Sequence, residues 1–87
     1  MKNSDPIAER NALAHRYQAQ GDLGRAIALF EANLRECADL RGADSADTLA
    51  ARNNLARAYQ DAGRLDEATA LFEQNLADRL RVLGPDH

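Results

Sequence analysis

Apolar side chains recur at spacings of three and four along nearly the whole chain, and glycines interrupt the pattern at regular intervals. Leu49, Arg52, Leu55, Ala56, Tyr59 and Ala62 fall on one stripe of a helix running from about residue 46 to residue 62. Gly63 stops it, because the residue just past a helix end takes a left-handed conformation that costs glycine nothing. A second helix over about 65–83 carries Leu65, Ala68, Leu71, Phe72, Leu76, Leu80 and Leu83, and Gly84-Pro85 ends it. The first half repeats the plan. Asp5 is placed to cap a helix over about 6–20, with Pro6 at its first position, where a missing N–H is harmless. Gly21-Asp22 makes the turn, a helix over 23–41 follows, and Gly42 ends it. Ser45 caps the third helix, with Asp47 near the positive end of its dipole. The pattern predicts an all-α chain of two helical hairpins.

A shift of the sequence by 42 positions lays residues 10–34 over 52–76 with fifteen identities in twenty-five columns. Among them are Arg10/Arg52, Asn11/Asn53, Leu13/Leu55, Tyr17/Tyr59, Gly21/Gly63, Phe30/Phe72, Glu31/Glu73 and Asn33/Asn75. Asp5/Asp47 and Gly42/Gly84 extend the register. A period of 20–50 residues marks a solenoid, whose units bury their apolar faces only against one another. The expected organisation is a single module over 1–87, with one repeat at 5–42 and another at 46–84.

Composition narrows the functions. Ala (18) and Leu (12) far outnumber the β-branched residues, which favours helix over strand. A net charge of −3 with no Lys/Arg cluster denies the footprint that phosphate backbones require, so nucleic acid is not an expected partner. No apolar run approaches the roughly 20 residues that span a bilayer, and MKNSDPIAER lacks the apolar stretch of a secretory signal. No membrane partner and a cytoplasmic location are expected. The lone Cys37 agrees with a reducing compartment. Ten of the eleven basic residues are Arg, a usage that points to a GC-rich bacterial genome.

Leu13-Ala14, Tyr17, Gly21, Ala26 and Phe30, repeated as Leu55-Ala56, Tyr59, Gly63, Ala68 and Phe72, resemble the tetratricopeptide repeat. The usual period of that family is 34, and the 42-residue unit here looks like the longer repeat of kinesin light chains and of many bacterial regulatory proteins. Two departures stand out: the first connection reads GADSADTL where GPDHPDTL is usual, and Asn33 and Asn75 occupy places usually held by a small residue. The resemblance implies a short right-handed α-solenoid and a non-enzymatic protein-interaction module without cofactors. It further implies that the first helix of each hairpin lines a concave groove that takes a peptide or helix. Carried over by position, the groove residues are Asn11, His15 and Gln18 in the first hairpin and Asn53, Asn54, Arg57, Gln60 and Asp61 in the second, interspersed with Ala8, Ala12, Ala19 and Ala50. Side-chain amides both donate and accept, which suits the main chain of an extended ligand, and Arg57 suits a carboxylate. The alternative is an ordinary solvated helix face. A two-carboxylate clamp would need cations where Ala8, Ala12 and Ala50 stand.

No residue set suggests catalysis or a metal. His15 is the single internal histidine and is expected on the polar side of its helix. His87 falls in a connection motif. Glu31 and Glu73 are expected to support helix surfaces, and Cys37 to act as a small hydrophobe beside Phe30, Leu34 and Leu40. Two hairpins supply one inter-repeat interface and no polar terminal helix, so the outer face of the fourth helix is left bare. Each large aliphatic side chain exposed there forgoes roughly 1.5–3 kcal/mol. The chain is therefore expected either to be a fragment of a longer array in a regulatory or scaffolding protein, or to stand alone as a homo-oligomer joined through open ends or hairpin exchange across Gly42–Ser45.

Overall fold

A computed structural model describes residues 5–83, with side chains described through Arg81. The expected roles of Gly84-Pro85, His87 and the Leu83 side chain lie outside these residues. Four α-helices follow one another: α1 (Pro6–Ala19), α2 (Leu23–Arg41), α3 (Ala46–Asp61) and α4 (Leu65–Leu83). Each packs on the next, giving two antiparallel hairpins side by side in a slab of 41 × 40 × 18 Å.

The turns follow from local chemistry. Asp5 accepts hydrogen bonds from the backbone N–H groups of Ile7 and Ala8, satisfying two donors at the start of α1. Beyond α1, Gly21 at φ 82° lets its N–H reach the Gln18 carbonyl while that of Asp22 reaches the Tyr17 carbonyl. Gly63 at φ 79° repeats this pair with Gln60 and Tyr59. Both turns are Schellman motifs, which close carbonyls that the helix leaves open. The α2–α3 connection is held by Ser45, whose hydroxyl accepts from the Thr48 N–H, and by Thr48, whose hydroxyl donates to the Gly42 carbonyl at 2.7 Å.

The core runs between the hairpins. Ala14, Ala26, Ile27, Phe30, Leu55, Ala58, Tyr59 and Ala68 form one buried cluster, with Tyr17, Leu34, Leu71 and Phe72 packed at its edge. The apolar stripe of α4 is only partly absorbed: Leu65, Leu76 and Leu80 are 58%, 56% and 58% exposed. Cys37 is buried, and burial pushes its thiol up from the ordinary value. Leu40 does not join it. At 66% exposure it stands one residue before the end of α2, outside the buried cluster.

A polar clasp sits inside each hairpin. Asn33 donates to the Ile7 carbonyl and accepts from Arg10 at 3.0 Å, and Arg10 also pairs with Glu36 at 2.6 Å. Forty-two residues on, Asn75 donates to the Leu49 carbonyl and accepts from Arg52 at 3.1 Å, and Arg52 pairs with Asp78 at 2.5 Å. The second clasp is buried throughout, with Arg52, Asn75 and Asp78 at 5%, 5% and 7% exposure. The asparagines that depart from the family pattern thus tie the first helix of each hairpin to the second.

Candidate functional site

The first helices of the two hairpins, α1 and α3, lie side by side. Their shared face is joined laterally by two side-chain hydrogen bonds: Gln18 to Asp61 at 2.8 Å and Asn54 to Asn11 at 3.1 Å. Both spacings are 43 residues, one repeat plus one, so each bond is a direct product of the stacking. His15, Gln18, Asn54, Arg57, Gln60 and Asp61 line a depression of about 340 Å³ between the two helices. Every lining side chain is polar.

A second depression, of about 230 Å³, lies toward the other end of α1 and α3 and is lined by Ala8, Asn11, Ala50 and Asn54 among others. Asn54 therefore borders both. Six of the eight anticipated groove residues meet in the first depression and Asn11 lines the second, while half-buried Asn53 lines neither.

Electrostatics divide the groove. Asp61 is engaged by Gln18, whereas exposed Arg57 has no carboxylate partner among the described residues. The guanidinium offers a fork of donors to an incoming carboxylate or carbonyl. His15 is exposed, and its ring meets Phe30 edge-on, with centroids 5.1 Å apart and planes at 72°. The groove floor therefore rests on the core through an aromatic contact. Glu31 does more than support a helix surface. It accepts a hydrogen bond from the Tyr59 hydroxyl at 2.7 Å, joining α2 to α3, and burial together with this bond pushes the Tyr59 phenol up to about 12. Among the described residues no three His, Cys, Asp or Glu side chains cluster in a way that could hold a metal ion.

Sequence reading missed both clasps and the lateral pairs. The signal for the clasps was present, since Arg10/Arg52 and Asn33/Asn75 are identities and Glu36/Asp78 conserve a carboxylate at the same offset. Their meaning depends on which helix faces which, and that is a property of the hairpin.

The sequence matches the tetratricopeptide repeat twice, over residues 10–47 and 48–87. The chain belongs to the tetratricopeptide repeat family. Its repeats are of the kinesin-light-chain-like type. A crystal structure of nearly identical tetratricopeptide-like repeats, described as from a kinesin light chain of Podosopora anserina, superposes with a TM-score of 0.82 at 30% identity. The match covers 95% of this chain and 40% of that one. That relative is fungal, so the similarity lends nothing to the bacterial origin suggested by arginine usage. No curated protein sequence matches the chain. Tetratricopeptide repeats generally mediate protein–protein interaction, and this type of repeat is typically non-enzymatic. No helix among the described residues is long and apolar enough to cross a membrane.

Proposed function

We propose that the α1–α3 face binds an extended peptide or helix of a protein partner, and that this tetratricopeptide module serves within a cytoplasmic regulatory or scaffolding protein. The observation that carries the reading is the all-polar depression in which unpaired Arg57 stands beside the side-chain amides of Gln18, Asn54 and Gln60. Amides in this setting pair with the main chain of an extended ligand, and Arg57 selects a carboxylate. The longer-array context draws support from the matched structure, of which this chain spans 40%. No cofactor or metal enters this function.

The test is selection of binders from a random peptide library, followed by titration of the best peptide against the Asn54→Ala/Arg57→Ala double variant. Loss of a charged hydrogen bond predicts a weakening of about tenfold or more, with the mass of the free protein unchanged. Equal affinity for the two proteins would remove the groove as the binding site.

A second reading, a stand-alone homo-oligomer joined through open repeat ends or hairpin exchange, draws support for the open ends from the exposed Leu65, Leu76 and Leu80 of α4.

A further inference from the structure

The inner α2–α3 interface is a template against which both outer faces of the molecule can be read. Leu55 packs beside Leu34, the Tyr59 hydroxyl donates to Glu31, Ala58 lies in one buried cluster with Ile27 and Phe30, and Ala51 and Cys37 line one depression and are both buried. Moving each contact by 42 residues puts one member on the outer side of α1 and the other on the outer side of α4.

Two of the contacts are carried over unchanged. Leu13 and Leu76 take the places of Leu55 and Leu34 but are 38% and 56% exposed, and Tyr17 and Glu73 take the places of Tyr59 and Glu31. A third pair changes at both positions. In place of Ala51 and Cys37, which border one depression, the outer faces carry Glu9 and Arg79, both exposed: two small, buried apolar side chains become a pair of opposite charges. Arg16 stands in the place of buried Ala58, and its guanidinium must reach out to the edge of the contact. The two outer faces thus carry opposite charges at places where the inner interface is apolar.

We propose that the occupant of the α4 face is a second copy of this chain, docked through α1 in the geometry of the inner α2–α3 interface. Leu13 packs on Leu76 of the neighbouring copy, the Tyr17 hydroxyl donates to its Glu73 carboxylate, and Glu9 pairs with its Arg79. The contact joins unlike surfaces, so it is heterologous and continues into an open chain of copies with the groove running along one side. This inference rests on the self-association reading and specifies its surfaces.

Sedimentation of the full chain and its variants over a range of concentrations tests it. The wild-type protein is expected to gain mass with concentration, while Leu13→Asp and Leu76→Asp are each monomeric alone. Mixed, these two variants form a single one-to-one dimer, because each retains the surface the other has lost. Glu9→Arg and Arg79→Glu each weaken assembly about tenfold, and the double variant restores it. A Leu13→Asp protein that still dimerises would overturn the head-to-tail arrangement in favour of α4 pairing with α4. Failure of the charge-swapped double variant to recover would overturn the Glu9–Arg79 contact. A wild-type chain that is monomeric throughout would overturn self-association itself, leaving the groove reading untouched.

Discussion

Arg52 carries its charge into the interior of the second hairpin, and its contacts to Asn75 and Asp78 make that tolerable. A buried ion pair is poor evidence of net stabilisation, but loss of either partner strands the other. The first-hairpin counterpart shows the contrast, since the Arg10 and Glu36 side chains remain 28% and 34% exposed. The hydrogen bond from Arg52 holds the Asp78 carboxyl below its ordinary value, aided by the positive charge of Arg81 and against the opposing effect of burial. With the folded-state value depressed, the stabilisation is complete above the ordinary carboxylate range and lost as pH falls through the depressed value. Urea midpoints measured from pH 7 downward should therefore show Asp78→Asn less stable than wild type at neutral pH, with the gap closing on acidification. A gap constant with pH would mean that the Asp78 charge contributes nothing. At this scale the sequence displayed the residues and concealed their roles. Arg52 reads as a polar member of an apolar stripe until α3 and α4 are folded together and Asn75 and Asp78 arrive 23 and 26 residues later.

Helix boundaries were far more legible, because each is written in residues that act on their own neighbours. Asp5 and Ser45 cap through contacts two or three residues away, and Gly21 and Gly63 close turns that no distant group is needed to form. Two glycines separate this local code from mere small size. Gly63 stands at φ 79°, and a Cβ there meets no neighbour within 4 Å, so the cost of Gly63→Ala is purely conformational, about 1–2 kcal/mol. Gly24 lies in the first turn of α2 with equally open space and ordinary backbone, so Gly24→Ala should stabilise by about 0.4–1 kcal/mol. Thermal or urea unfolding of the two variants reads both signs, and a stabilised Gly63→Ala protein would contradict the Schellman turn. The element-level reading failed where tertiary packing decides. Leu40 shares the periodicity of Cys37 but stands at the very end of α2, outside the buried cluster, and Leu76 holds the place of Leu34 without a helix to cover it among the described residues.

Across the whole molecule the repeat creates two kinds of surface. One is the groove, where α1 and α3 are joined by Gln18–Asp61 and Asn54–Asn11 and leave Arg57 free. The other is the pair of outer faces, whose residues are images of an interface already made inside the chain. The exposed leucines of α4 lie on the apolar stripe that the sequence itself displays. The opposite charges of Glu9 and Arg79 could not be foreseen, because they appear in the self-alignment as two unrelated mismatches until Ala51 and Cys37 are seen buried beside one depression. The residues that line the α1–α3 depressions could be grouped for a different reason: they share the face of each first helix that points away from the core, so position along the helix suffices to bring them together. Asn53 marks the limit of that rule, one step around the helix from Asn54 and outside both depressions. The central claim, recognition of a protein partner through the α1–α3 groove, is tested most directly by amide chemical-shift mapping with a library-selected peptide. Shifts concentrated at His15, Gln18, Asn54, Arg57, Gln60 and Asp61 are predicted, and shifts confined to Leu65, Leu76 and Leu80 of α4 would contradict it.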